Sequence, residues 1–341
     1  MIPRLNISFS WKHRWAFGFG KEYIPVENEF LLNHARSGIV MALRSALPMG
    51  GNVGVVAYNC YTVANAIVEA GCKPVFVDVT EDLHIDLLHL KTLKMDAIIV
   101  TNLFGIHNEI NAIKVAQPKA IIIVDNAHGY GLPAEGDFTV YSINQGKFPS
   151  LGEGGILMVN NEHYLTPIHQ QYDTLPLYNH GKEIKLFVTM LLKAWMHRPS
   201  IYGLFTLRLK ACRGTKECRE SISMRKMANG VRRLYQQVLP DIPRAIELRK
   251  QHAQVMADRL LRERLVQSVW YGDNAFMLIA RCKDPKAVQT YFCQHGVESA
   301  THFARAIDWA KEYGYNEGKC PIAEKMIKEL IMIPTYKKIK I

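Results

Sequence analysis

The sequence lacks the marks of a secreted, metal-stapled or membrane-spanning protein. Its seven cysteines (Cys60, Cys72, Cys212, Cys218, Cys282, Cys293, Cys320) are odd in number and scattered, with no Cys-x-x-Cys pair and no His/Cys cluster. Neither a disulfide framework nor a zinc site follows from that pattern, no metal is expected, and a reducing cytoplasm suits it. No run of eighteen apolar residues occurs, so no segment is expected to span a bilayer. The opening stretch, MIPRLNISFSWKHRWAFGFG, has neither the apolar core nor the cleavage pattern of a signal peptide. Acidic residues are the scarce charge: 31 Asp and Glu face 42 Lys and Arg, a net charge of +11. An excess of that size implies an acidic partner, namely a nucleotide diphosphate, an anionic lipid surface or nucleic acid. No nucleic-acid motif accompanies the charge, so nucleic acid is not expected as a partner.

The residues that are present are organised around Ala120 to Asn160, AIIIVDNAHGYGLPAEGDFTVYSINQGKFPSLGEGGILMVN. Ile121-Ile122-Ile123-Val124 ends on Asp125, and His128 follows within a turn. Phe138 to Tyr141 leads to Ser142, then Lys147, then Gly152-Glu153-Gly154-Gly155. A continuous β-branched run reads as a buried parallel strand, and its last residue lies at the carboxyl end of the sheet, where open α/β folds bind ligands. A carboxylate there, with a lysine in the next loop, suits pyridoxal phosphate. The lysine forms a Schiff base, and the carboxylate pairs with the protonated pyridine nitrogen, making the ring an electron sink.

At these residues the chain resembles the DegT/DnrJ/EryC1/StrS sugar aminotransferases. That family carries Asp-x-x-Gln/His, then Ser five residues before Lys, then Gly-Glu-Gly-Gly, here Asp125 to His128, Ser142, Lys147 and Gly152 to Gly155. The resemblance implies an α/β fold of type I: a large three-layer α/β/α domain with a mostly parallel sheet, over about 1–239, and a smaller α+β C-terminal domain, over about 240–341. Alternating strands and helices up to residue 160 agree with it. The helices are read at Ala35–Leu47, Tyr61–Ala70 and Ile110–Ala116, and the strands at Asn52–Asn59, Pro74–Val79 and Met95–Thr101. The C-terminal part reads as helix 243–264, strand 275–281, helix 284–295 and strand 297–303. Trp11, Trp15, Phe17 and Phe19 form an aromatic arm expected to pack over the body.

The resemblance assigns Lys147 the Schiff-base role and then that of general base, and Asp125 the pyridine nitrogen. His128 stands where the family places Gln or His against the cofactor ring; an ordinary half-buried histidine is the other reading. Ser37, Gly38 and Ser142 are expected to hold the phosphate, with help from amides at the start of the 38–47 helix; for Ser37 a plain helix cap is compatible. The commonest pattern has Gly-Thr, and Ile39 cannot supply that hydroxyl, so anchoring leans on amides, on Ser142 or on a group from elsewhere. Counting puts Cys60 at the position of the ring-stacking aromatic, with Tyr58 and Tyr61 beside it, and one of the tyrosines is expected to substitute. Lys226 and Asn229 lie where the family reaches toward a neighbouring subunit. The family's Thr-Arg-x-His appears as Ser299-Ala300-Thr301-His302, without the arginine.

Residues 182–216 have no counterpart in the common pattern. Leu186, Phe187, Met190, Leu191 and Ala194 share a helical face; Ile201, Leu204, Phe205, Leu207 and Leu209 follow Pro199. Lys182, Lys185, Lys193, Arg198, Arg208, Lys210, Arg213 and Lys216 oppose only Glu183. Two basic amphipathic helices either lie on an anionic membrane surface or pack on the protein itself or its dimer partner. Taken together, the expected function is transfer of an amino group, with glutamate as donor, to a keto sugar nucleotide or a related biosynthetic intermediate. The expected protein is a cytoplasmic homodimer, peripheral on the inner membrane face if 182–216 docks there. A lipid-linked or natural-product acceptor is the second reading, and a non-catalytic regulator on the same fold the third.

Overall fold

The computed structural model describes residues 1–8, 13–203 and 221–339. Trp11, Leu204, Phe205, Leu207, Arg208, Leu209, Lys210, Arg213 and Lys216 of the expectations above lie outside the described residues. Seven strands form one sheet: β1 (Glu29–Leu32), β2 (Asn52–Val56), β3 (Lys73–Val77), β4 (Ala97–Thr101), β5 (Ile121–Asn126), β6 (Phe138–Ser142) and β7 (Gly155–Val159). Their order is β1-β7-β6-β5-β4-β2-β3. The pairs from β3 through β2, β4 and β5 to β6 are parallel, whereas β7 runs antiparallel to both β6 and β1. The fold is the mixed α/β, mostly parallel type that the alternation of elements implied. The central strands are β-branched because both their faces are covered; β4 is buried at every residue, and β5 at all but its first.

The helices before residue 200 are α1 (Arg14–Phe19), α2 (Ala35–Ala46), α3 (Tyr61–Glu69), α4 (Leu87–Thr92), α5 (Ile110–Ala116), α6 (Leu165–Asp173) and α7 (His180–Met196), followed by a turn at Pro199–Ile201. α2 lies closest to the sheet. A Cβ on Gly38 would come within 3.0 Å of Val140 Cγ1 and 3.2 Å of Leu157 Cβ, so this glycine sets how near α2 sits to β6 and β7. Gly155 is tighter still. A Cβ there would meet Ala35 N and His34 C at 2.2 Å, which no side chain tolerates. The glycine-rich stretch after Lys147 therefore lets the α2 N-terminus press against the start of β7.

A second, antiparallel sheet holds β8 (Ser268–Tyr271), β9 (Met277–Arg281) and β10 (Leu330–Pro334), in the order β10-β9-β8. The strand expected at 297–303 does not form. Single bridges Ile2–Val297 and Ala300–Met332 mark its place, and Phe303 turns to φ 55°, which ends extended backbone. The closing segment supplies β10 instead. One apolar core runs between the sheets, joining Tyr58, Phe104 and Leu103 to Phe276, Met277 and Met332.

Among the described residues of the aromatic arm, Phe17 packs inward, stacked on Phe187 at 4.7 Å, whereas Trp15 and Phe19 are exposed. α7 carries the face named from the sequence: Met190 is buried, and Leu186, Phe187, Leu191 and Ala194 pack against the core. That face meets the protein, not a membrane. Among the described residues no helix is long and apolar enough to cross a bilayer.

Candidate active site

The carboxyl ends of β4, β5 and β6 open, together with the N-terminal ends of α2 and α3, onto a cleft of about 200 Å³. Its walls carry Asp125, His128, Ser142 and Lys147, together with Cys60, Asn59, Thr101, Asn144, Arg36 and Phe303. Five of the residues singled out in the sequence thus share one cavity. Parallel strands deliver them to the same end because their register is fixed: Thr101 pairs with Asp125, and Asp125 with Val140, two residues before Ser142.

Asp125 is 3% exposed, and its Oδ1 accepts Ala127 N–H at 2.9 Å. Burial pushes its carboxyl above the ordinary range, while the Ala127 amide, the Lys147 ammonium and the Thr101 hydroxyl pull it down. Thr101 is itself oriented by Asn59 Nδ2, at 2.9 Å from its hydroxyl. Lys147 is lowered by burial, an effect that Cys60 and Asp125 oppose. No hydrogen bond or ion pair to its ammonium occurs among the described residues. A buried carboxyl short of a cation and a buried amine short of a partner, in one cleft, form an incomplete electrostatic set.

His128 is held by stacked rings, with centroids 4.8 Å from Phe276 and 5.3 Å from Phe104 and interplanar angles of 22° and 25°. Its Nδ1 accepts Phe104 N–H at 3.3 Å, which leaves Nε2 to carry the proton of the neutral ring. Burial, then the charges of Lys147, His302 and Arg4, hold its pKa well below the usual histidine range. His302 is shifted the same way by burial, Arg4 and Lys147, with Arg4 Nη1 3.0 Å from its Nδ1. Phe104 and Phe303 both have positive φ (56° and 55°), a conformation costly for aromatic residues that brings their rings onto His128.

The other expected residues are placed elsewhere. Ser37 is fully buried, and its hydroxyl donates to Asn33 Oδ1 at 2.9 Å. Gly38 faces the sheet. Tyr58 is enclosed in the core and donates to the His302 carbonyl at 2.9 Å. Tyr61 packs edge-on against Trp309 at 5.3 Å. None of these four lines the cleft; Cys60, the cap residue of α3, does. Lys226 makes an ion pair of 3.8 Å with Asp173, and the Asn229 amide donates to Glu183.

Sequence reasoning missed Arg36, Asn59, Thr101, Asn144 and Phe303. Thr101 was readable, since it ends the strand beside Asp125. The helix reads from Ala35, but its spacing does not show that residues 35 and 36, rather than 37 and 38, are the first to face the cleft. Phe303 comes from a distant segment that only the tertiary fold brings in.

The model of the DegT/DnrJ/EryC1/StrS aminotransferase family matches residues 20–340. Among relatives, a dTDP-4-amino-4,6-dideoxy-D-glucose transaminase of Escherichia coli is 29% identical over 142 residues, covering 37% of this chain and 38% of that protein. A pleiotropic regulatory protein of Geobacillus stearothermophilus is 22% identical over 328 residues, covering 89% of the chain and 78% of that protein. A solved sugar-aminotransferase-like structure from Streptococcus pneumoniae, in its PLP form, superposes with a TM-score of 0.69 at 16% identity, covering 98% of this chain and 94% of that one. The chain belongs to the DegT/DnrJ/EryC1/StrS aminotransferase family, whose aminotransferases depend on pyridoxal phosphate and have the type I fold.

Proposed function

We propose that the protein moves an amino group, with glutamate as donor, onto the keto group of a nucleotide-linked sugar. The observation that carries this reading is the unpartnered Lys147 ammonium in one buried cleft with Asp125 and His128. When bound, pyridoxal phosphate supplies an aldehyde that captures amines and a ring that accepts electrons. Asp125 supplies the buried negative charge that a protonated ring nitrogen needs, and such a cation would return its raised carboxyl to the ionised form. His128, kept neutral by burial and stacked on Phe104 and Phe276, offers one Nε2–H without adding charge. Lys147, its pKa lowered by burial, takes a proton at Nζ and gives it up more readily than an exposed lysine does. Phe303 and the stacked rings behind His128 keep water from that amine. The sugar-nucleotide acceptor is supported by the name of the Escherichia coli relative and by the net charge of +11, which favours a diphosphate.

The test uses the full chain incubated with pyridoxal phosphate and reduced with borohydride. Peptide mapping should find the cofactor fixed on the peptide containing Lys147, and Lys147→Ala should retain none. Glutamate added before the reductant should prevent fixation. Absence of any fixed cofactor in the unmutated protein would sink the enzyme reading. A panel of keto sugar nucleotides and keto lipids then separates the two acceptor classes.

We also propose that the outer face of α7 is covered by a second copy of this chain. Ile184, Val188, Leu192 and Trp195 fall on one stripe at helical spacing and are each 47–57% exposed, a contiguous apolar face of the kind that marks an interaction site. The helix is fixed at its start by Asn179, which accepts Lys182 N–H, and by Glu183, which accepts Asn229 N–H, so it can act as a rigid isologous surface. Val188→Glu should convert a dimer to a monomer in sedimentation velocity. Co-sedimentation with anionic liposomes, with no dimer, would assign this face to lipid instead.

A further inference from the structure

The sequence left the phosphate site without its usual hydroxyl, because Ile39 cannot donate. The fold puts a different group there. α2 begins at Ala35 after the extended residue His34, so Arg36 stands in its first turn, where backbone amides have no carbonyl within the helix to bond. Arg36 lines the cleft beside Ala35 and Ile39. Its Nε is buried and has no hydrogen-bond partner, and no ion pair to its guanidinium occurs among the described residues. The carboxyl of Glu153 is near enough to feel its charge and is raised by burial, with Tyr178 donating to it.

A second group points into the same corner. Ser142 is 2% exposed and lines the cleft; its Oγ accepts Asn144 N–H at 3.4 Å, and its own hydroxyl proton has no acceptor among the described residues. Asn144 is fixed, since its Oδ1 accepts Gly154 N–H at 3.0 Å and its Nδ2 faces His34 Nδ1 at 3.0 Å. A buried hydroxyl with an unused donor, a guanidinium with a buried unused N–H and the positive end of a twelve-residue helix converge on one place. The hydroxyl and the guanidinium each lack an acceptor of negative charge, and at the helix end, where the Ser37 amide already donates to His34 O at 3.1 Å, the dipole favours an anion. A tetrahedral dianion with three acceptor oxygens would satisfy all of them at once.

We propose that Arg36 is the side-chain anchor of the cofactor's phosphate in this chain, working with Ser142 and the positive N-terminal end of α2 in place of a threonine hydroxyl. This rests on the pyridoxal-phosphate reading above. Arg36 is a positioning residue: it fixes the ring against Asp125 and Lys147 through the phosphate and touches no reacting atom. The guanidinium brings full charge and a bidentate fork, so the site should discriminate more strongly for the phosphorylated cofactor than a hydroxyl site does.

Equilibrium titrations of the cofactor-free full chain with pyridoxal phosphate and with pyridoxal, followed by absorbance and with inorganic phosphate as competitor, test this. The unmutated protein should bind pyridoxal phosphate far more tightly than pyridoxal, and inorganic phosphate should compete. Arg36→Met should weaken pyridoxal phosphate by about tenfold to a hundredfold, the worth of a charge-assisted hydrogen bond, and leave pyridoxal unchanged. Arg36→Lys should recover part of the loss, and thermal melting identifies a variant that fails to fold. If Arg36→Met and Arg36→Lys both fold and keep the original ratio of the two affinities, the anchor is elsewhere. If the unmutated protein binds neither compound, the cofactor reading itself falls, a result distinct from the first. If Arg36→Met weakens both compounds equally, Arg36 shapes the cleft without holding phosphate, and the proposal is overturned.

Discussion

Single residues in the cleft are set by burial more than by their neighbours' charges. His128 accepts the Phe104 amide and His302 the Arg4 guanidinium, and both are held neutral with pKa values well below ordinary histidine. Unfolded, each takes up a proton near pH 6.5. Below about pH 7 the unfolded chain therefore binds protons that the folded one does not, and stability falls as pH drops, by at most ~1.4 kcal/mol per pH unit for each ring. Asp125 and Glu153 have the opposite sign. Their raised carboxyls stay protonated in the folded state after the unfolded chain has released its protons, so their contribution is present at acid pH and is lost as pH rises. The net slope is a difference between these effects, and a single variant isolates one of them. His302→Gln should flatten the fall in melting temperature between pH 7 and pH 5; an unchanged slope would show that His302 is not held neutral. Most of these residues could be picked out in the sequence, because Asp125, Ser142 and Lys147 are tied to strand ends. The neutral state of His128 could not be, since it depends on Phe104, Phe276 and His302.

At the scale of elements, the site depends on where α2 begins and how close it sits. Apolar spacing located this helix to within a residue, but spacing does not reveal which of its first residues face the cleft. That is decided by the contact between Gly155 and the His34–Ala35 peptide and by the packing of Gly38 on β6 and β7. Gly155→Ala should therefore push the α2 N-terminus off β7. The expected result is a stability loss of about 1–3 kcal/mol, typical of overpacking, together with weaker binding of pyridoxal phosphate. Denaturant melts and the cofactor titration measure the two effects. Loss of stability with cofactor affinity intact would mean that the helix end is not part of the site. α7 gives the converse lesson. Its amphipathic pattern was legible, but a pattern does not say what the apolar face meets. The face holding Met190 turned inward, and a second stripe, ending at Trp195, was left outside.

Across the whole molecule, the second sheet is fastened to the first by side chains far apart in sequence. Asp78, just beyond β3 and 3% exposed, accepts the amides of Ile322 and Ala323 at 3.0 and 2.8 Å, capping the helix Pro321–Glu329. Residues 2 to 8 form a second tie, from Glu298 N–H to Ile2 O and from Ser8 N–H to Ser150 O, both at 2.9 Å, so the arm touches the lysine loop and the second sheet together. Asp78→Ala removes the acceptor of the Ile322 and Ala323 amides, and of the Val79 amide beside it, and should cost about 1–3 kcal/mol in denaturant unfolding. A loss below 0.5 kcal/mol, roughly the effect of an ordinary surface change, would show that the cap does not fasten the sheets.

The sequence by itself determined the α/β class, the family, the strand-end residues Asp125 and Ser142 and the loop residue Lys147, because local periodicity and motif spacing are fixed along the chain. The tertiary structure decided the rest. It brought Phe303 to the cleft and His302 against His128 from some 175 residues beyond Asp125, placed Arg36 where Ser37 and Gly38 were expected, and buried Tyr58 away from the site. Those outcomes depend on close packing between segments remote in sequence, where a glycine whose added Cβ would lie 2.2 Å from Ala35 N and His34 C sets which residue of a helix faces the cleft.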